Sequence, residues 1–379
     1  MMSSSTSHAG TPVTRAIASS SVVLAAGTRP ATVHIGDDGN ISAVTEGIDA
    51  GAFLVSGPLS PGFIDLQVNG KLDVDVWGSA LSADHDSFGR LDEMLLAEGV
   101  TTWLPTLVTN DVDRYGPAMA FLAENAARSK TSIPGVHLEG PLLGNRPGAH
   151  RKRFIGAPDA QWWDEVAPFT RLVTIGAEAE GALDVAHDLV RRDISVSIGH
   201  SAPTRAAFEA IVGAGASMVT HIFNAMSGIH HRDDSLALMA LNESRLVCGL
   251  IADGVHVSEQ AIDLAFRAAR GGVALVTDSV AYLSREVGPI GISLQDGVPR
   301  LPDGTIAGSA LTFPDAIRRS MAASGLDLPR IIASATSTPA RVIGLTDRGE
   351  IAVGKRADLV ALGSDLTPDA VWVLGRRSR

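Results

Sequence analysis

The stretch Gly135-Val136-His137-Leu138-Glu139-Gly140-Pro141 decides how the chain is read. The apolar run from Ile133 to Leu138 has the composition of a buried strand, and it delivers a carboxylate, Glu139, just before a Gly-Pro break. Three more short runs end in the same way. Ser195-Val196-Ser197-Ile198-Gly199-His200 and Met218-Val219-Thr220-His221 each finish on a histidine, and Val273-Ala274-Leu275-Val276-Thr277-Asp278 finishes on an aspartate. Polar residues at the C-terminal ends of separate strands are brought together when those strands close into a barrel. One glutamate, two histidines and one aspartate are the inventory of a single-metal hydrolase. A lone histidine at a strand end is ordinarily a satisfied core residue, but four such residues at matching positions make a site.

Outward from that stretch, strand and helix patterns alternate. Strands are expected at residues 63–68, 102–107, 133–139, 172–177, 195–200, 218–221, 247–252 and 273–278. Helical patterns fall between them at 88–98, 116–128, 183–192, 205–214, 236–242 and 258–269. The series predicts an α/β fold, a (β/α)8 TIM barrel over residues 61–345. The interval 142–170 is longer than an ordinary crossover and carries Arg146, His150, Arg151, Lys152 and Arg153, so a covering lid is expected there. Upstream of Pro61, β-type runs at 22–24, 32–35, 41–44 and 52–55 surround a hairpin turn at 36–40. Downstream of Asp278 come hairpin-like runs at 290–294 and 304–306, helices at 312–323 and 329–337, then β signals at 349–354, 358–362 and 371–373. The two ends are therefore expected to form one small discontinuous β-sandwich from residues 15–60 and 346–379. Residues 1–14, rich in Ser and Thr, read as a disordered tail without a signal pattern.

Composition narrows the function. With 45% hydrophobic residues, 39 glycines and 4% aromatics, the 379-residue chain resembles an α/β enzyme with a sizeable core. A formal charge of −11 argues against nucleic acid as a partner and requires a local basic pocket for any anionic substrate. No run of 18 apolar residues supports a membrane span. The single cysteine, Cys248, excludes an intramolecular disulfide and reads as a packed core thiol, which points to the cytoplasm.

The chemistry follows from residue types. Glu139, His200 and His221 on one divalent metal ion leave an open position for water. Zinc suits that donor set, although iron or another divalent ion would also bind. Asp278, off the metal, can take a proton from the water and hand it to a leaving amine. His256, just beyond the seventh strand, either donates to a substrate carbonyl oxygen or is a surface histidine. His230, His231 and Arg232 are either a solvated loop or an anion clamp. His137 reads as a partner of the ligands. Gln67 and Asn69 are neutral amides, poor metal ligands able to hydrogen-bond water or substrate, so the first strand offers no second metal site.

The stretches Pro61-Gly62-Phe63-Ile64-Asp65-Leu66-Gln67-Val68-Asn69-Gly70, Leu138-Glu139-Gly140-Pro141, Gly199-His200-Ser201, Thr220-His221-Ile222-Phe223-Asn224-Ala225-Met226, Asp253-Gly254-Val255-His256 and Val276-Thr277-Asp278 resemble the N-acetylglucosamine-6-phosphate deacetylases of the amidohydrolase superfamily. Ala307-Gly308-Ser309 and the run from Gly354 to Val360 resemble them too. The resemblance implies a metal held by Glu139, His200 and His221, Asp278 as catalytic acid and base, and His256 on the acetyl carbonyl. It implies a phosphorylated amino-sugar substrate met by the backbone of Asn224 and Ala225, by Gln67, Gly140 and His150, and by Arg232 reaching over from the second subunit of a homodimer. Many members carry His-x-His where this chain has Gln67 and Asn69, which matches the single-metal subgroup. The run Ser227 to Asp234 departs from the usual pattern around its arginine, so an N-acetylgalactosamine 6-phosphate substrate is the alternative. Cyclic-amide hydrolases form a further alternative, but they use a carboxylated lysine that the expected barrel strands lack.

Overall fold

The computed structural model describes residues 14–283 and 291–379. Parallel strands follow one another around a ring: Phe63–Leu72, Val100–Val108, Val136–Glu139, Thr170–Ile175, Ser195–Ile198, Met218–Val219, Val247–Leu250, and an eighth in two pieces, Val273–Leu275 and Ser279–Ala281. The first piece pairs with Val247–Leu250 and the second with Phe63–Leu72. Residues 276–278 thus cross the seam and close the (β/α)8 barrel expected from the sequence. Asp65 ties that seam. Its carboxylate accepts from Thr277 Oγ1 at 2.6 Å and from the Thr277 and Gln67 amides at 3.2 Å each. Burial pushes the Asp65 carboxyl up to about 7.

The connecting helices begin on side-chain caps. Thr204 Oγ1 accepts from the Ala207 amide ahead of Arg205–Ala214, and Ser258 Oγ from the Ala261 amide ahead of Glu259–Ala268. Their apolar faces pack on the strands in one large core. Three helices were not expected, one of them Ser337–Val342, which follows a break at Thr336 where a single helix was expected at 329–337. Val76–Ser82 starts on Asp75 after the first strand, and Ala160–Val166 starts on Asp159 and buries Trp162 and Trp163. The long interval 142–170 therefore contains its own crossover helix. The first strand runs on to Leu72, beyond its expected end, and includes Lys71, a lysine that does not face the strand-end residues. The Lys71 ammonium is buried against Glu98 Oε1 at 2.8 Å, away from the cavity described below.

Strands from both chain ends share one sheet of eight, ordered Arg376–Arg377, Pro368–Val373, Leu359–Leu362, Leu59–Pro61, Ala16–Leu24, Gly27–Ile35, Ile41–Glu46, with Phe53–Leu54 also on Ala16–Leu24. Ile17, Val33, Leu59, Leu359 and Trp372 form a core of their own there. Residues 349–354 are not a strand: Ile351 is buried, but Val353 is 65% exposed, and Gly354 donates to Ile41 O outside any ladder. Residues 304–306 contribute only a bridge between Arg300 and Ile306. Ser293–Gln295 pairs with Val298–Arg300, while residue 290 of that expected hairpin lies outside the described residues. So do residues 1–13 of the expected tail; Thr14 donates its amide to Gly375 O and accepts from Trp372 Nε1. Among the described residues no helix is long and apolar enough to cross a membrane.

Candidate active site

Glu139 is the last residue of the third strand, and His200 and His221 stand two residues beyond the fifth and sixth. Asp278 sits in the gap of the split eighth strand. His200, His221 and Asp278 all have left-handed backbone, with φ of 50°, 28° and 48°. Such backbone strain in non-glycine residues persists only where the surroundings over-determine it. Gly199 helps to set it up: a Cβ there would fall 2.6 Å from Thr174 Cγ2, so only glycine lets the strand end pass between its neighbours.

Three donor atoms converge. Glu139 Oε1 lies 3.1 Å from His200 Nε2 and 3.1 Å from His221 Nε2, and the two Nε2 atoms are 3.1 Å apart. His200 Nδ1 donates to Arg146 O at 3.1 Å, so the Nε2 lone pair is the one aimed at the centre. Two imidazole lone pairs and a carboxylate oxygen this close repel one another unless a cation sits among them. The edge of a tetrahedron with ~2.0–2.1 Å metal–ligand bonds is about 3.4 Å, close to these separations. The residues therefore fit a divalent cation. Burial opposes ionisation of Glu139, yet the His200 and His221 imidazoles set against its carboxylate outweigh it and hold its carboxyl well below the usual range.

The flanking groups are held as firmly. Asn69 Nδ2 donates to Asp278 Oδ1 at 2.6 Å, leaving the other carboxylate oxygen for chemistry. Burial, reinforced by the charge of Glu139, pushes the Asp278 carboxyl up to about 8, and a bound cation acts in the opposite sense. His256 Nδ1 donates to Asp253 Oδ2 at 2.7 Å, which fixes the ring and leaves Nε2 for the cavity. Below Glu139, His137 is bonded to Leu66 O at 3.1 Å and to Thr174 Oγ1 at 2.8 Å. Burial lowers its imidazole to about 4, so it stays neutral under its neighbours.

These groups open on a cavity of about 390 Å³, within the size range of small-molecule sites. Glu139, His150, His200, His221, Asn224, Ala225, His256 and Asp278 line it. His150 enters from the 142–170 interval, its Nδ1 3.0 Å from Thr109 Oγ1 and its Nε2 3.7 Å from Glu139 Oε2. Three expected site residues are elsewhere. Gln67 is buried beneath the cavity and donates to Glu139 Oε1 at 3.1 Å, and the Gly140 amide is taken by Thr174 O at 3.0 Å. Arg232 is exposed on the loop after the sixth strand. Asp75 and Trp77, not among the residues expected from the sequence, also line the cavity. The sequence also left Asn69 without a partner and Asp253 without a role. Asn69 and Asp253 lie in the quoted motif stretches, as do their partners Asp278 and His256, but the pairings themselves are not written in the motifs; Asp75 and Trp77 follow the first motif by a few residues.

A barrel whose strand ends gather two imidazoles and a carboxylate beside a second carboxylate defines a hydrolase built for a divalent cation. The chain belongs to the amidohydrolase family, whose sequence model matches residues 59–377. It is similar to an N-acetylglucosamine-6-phosphate deacetylase of Caenorhabditis elegans, 33% identical over 84% of this chain and 82% of the relative. An N-acetylgalactosamine-6-phosphate deacetylase of Escherichia coli O157:H7 is 31% identical over 84% of this chain and 87% of its own. Among solved structures, a mutant N-acetyl-D-glucosamine-6-phosphate deacetylase of Mycobacterium smegmatis in complex with N-acetyl-D-glucosamine-6-phosphate superposes with a TM-score of 0.88. It is 30% identical, over 96% of this chain and 98% of that one.

Proposed function

We propose that this chain hydrolyses the acetamide of N-acetyl-D-glucosamine 6-phosphate, releasing acetate and D-glucosamine 6-phosphate in the breakdown and recycling of amino sugars. The observation that carries the reading is the triangle of Glu139 Oε1, His200 Nε2 and His221 Nε2 beside Asp278. The relatives' activities supply the substrate. One divalent ion per chain, zinc by the donor set, would be held by those three atoms and would supply Lewis acidity and acidify a water when bound.

The rest is the work of the chain's own residues. Asp278, held by Asn69 at one oxygen, takes a proton from the attacking water at the other. His256, held by Asp253 through its Nδ1–H, turns Nε2 toward the acetyl carbonyl oxygen, and in its doubly protonated form it donates the Nε2–H as that oxygen gains negative charge. Asp278 then returns the proton to the sugar nitrogen as the C–N bond breaks, so that the amine leaves neutral. His150, Asn224 and Ala225 border the sugar.

The phosphate needs a cation from outside this cavity. Among the described lining residues are the carboxylates of Asp75, Glu139 and Asp278 but no lysine or arginine. Arg232, exposed and with Ile229 47% exposed on the same loop and Val255 47% exposed on the next, is suited to reach a second copy's cavity in a homodimer. Residues 15–60 with 346–379, and residues 61–345, are taken as its two units. The free, buried Cys248 suits a reducing compartment such as the cytoplasm. The test is acetate release from this substrate by purified, cation-loaded protein; none released would contradict the reading. The similarity to a galacto-specific relative supports a second substrate, the 4-epimer, and a rate comparison on the two epimers separates them.

A further inference from the structure

We infer that Glu178 is a positioning residue for the cation site, acting through the backbone that orients His200. The inference rests on the proposed role of His200 as a ligand. Glu178 follows the fourth strand and is partly buried. Its carboxylate ties two separate segments to its own. Oε1 accepts from the Asn145 amide at 2.9 Å and from the Ala202 amide at 2.9 Å, and Oε2 accepts from the Ser201 hydroxyl. Ser201 Oγ in turn accepts from the Ala177 amide at 3.1 Å.

These contacts bracket His200. Ser201 and Ala202 are its next residues, and Asn145 precedes Arg146, whose carbonyl receives the His200 Nδ1–H at 3.1 Å and whose amide donates to His200 O at 3.3 Å. One carboxylate therefore ties down both the strained backbone of His200 and the acceptor that sets its tautomer. The packing is made for that carboxylate. A Cβ at Gly144 would lie 2.3 Å from Glu178 Oε1, and a Cβ at Gly176 would lie 2.0 Å from the Gly144 amide nitrogen. Nothing larger than glycine lets these segments close on Glu178.

Glu178→Gln keeps the shape and one acceptor but turns a second amide donor toward Ser201. With the ring no longer held, zinc affinity falls by about 10- to 100-fold, the range for lost partners of metal-bound histidines. The measurement is zinc binding by competition with a chromophoric chelator on cation-free protein, for the parent, Glu178→Gln, Ser201→Ala and the exposed neighbour control Glu180→Gln. The expected order is Glu178→Gln weakest, Ser201→Ala intermediate, and Glu180→Gln equal to the parent. In excess zinc, Glu178→Gln regains most of the parent's kcat, and the thermal midpoints of the cation-free proteins stay within a few degrees. A general structural role would instead lower those midpoints without selective loss of zinc. Parent-like affinity in both Glu178→Gln and Ser201→Ala overturns the inference. A parent that binds no zinc, iron or cobalt overturns the reading of His200 on which it rests.

Discussion

Glu139, His200, His221 and Asp278 leave the barrel within two residues of a strand end, whereas His150 and Arg232 stand on loops well away from any strand. The first group is over-determined: each member has neighbours on adjacent strands, and three of the four are pinned in left-handed backbone. The second group is carried by loop backbone: His150 reaches in from its loop to Thr109, Glu139 and the ring of His200, and Arg232 stands exposed on the solvent side. In the proposed reaction, the strand-end corner performs the bond cleavage and the loop-borne wall chooses the substrate. Changes to the corner should alter the rate of the chemical step, and changes to the wall should alter binding.

His221→Ala should break the corner most completely. The chain is expected to purify without stoichiometric divalent cation and to release acetate no faster than cation-free buffer; elemental analysis and the acetate assay check this. Asp278→Asn should separate chemistry from cation holding. One ion per chain is retained while kcat drops by about 10²- to 10⁴-fold, the usual range for a general acid–base. On the loop side, Arg232→Ala is expected to raise KM for the phosphorylated sugar by roughly 10- to 100-fold, since a hydrogen bond to a charged group is worth about 1.5–3 kcal/mol. Its kcat should stay near the parent's, and N-acetylglucosamine without the phosphate should be unaffected.

The smallest expected effect is on stability, at the seam that carries Asp278. Burial raises Asp65 to about 7 from an ordinary value of 3.8. Its contribution to stability is therefore full below about pH 4 and is lost as the pH climbs through about 7, by up to roughly 4 kcal/mol. Asp65→Asn keeps acceptors for the amides of Gln67 and Thr277 without a titrating charge. Its stability relative to the parent should thus improve between pH 5 and pH 8 in denaturant melts. A constant gap would remove the buried ionisation from the account.

How far the site was legible in the sequence follows the same division. Short apolar runs with a carboxylate or imidazole at the end, such as 195–200 and 273–278, carry strand, direction and chemistry together, so the barrel and the converging four could be read directly. What local pattern hides is pairing across the fold. Asn69 and Asp278 are 209 residues apart, and Glu178 meets Asn145 and Ala202 across 33 and 24 residues, with nothing nearby to mark the contact. Gln67 and Gly140 were expected at the substrate; the Gln67 side chain donates to Glu139 and the Gly140 backbone amide to Thr174 O, contacts equally unmarked in the local pattern. Val76–Ser82 is too short to show a helical period, and 349–354 has the composition of a strand although it meets Ile41–Glu46 only through isolated bonds at its end.

The claim on which all of this depends is that three side chains from separate strands hold one cation. Anomalous diffraction from crystals grown with zinc tests it most directly. The account predicts one strong peak per chain, about 2.0–2.2 Å from Glu139, His200 Nε2 and His221 Nε2. Zinc found only elsewhere, or no peak among those three residues, would contradict it.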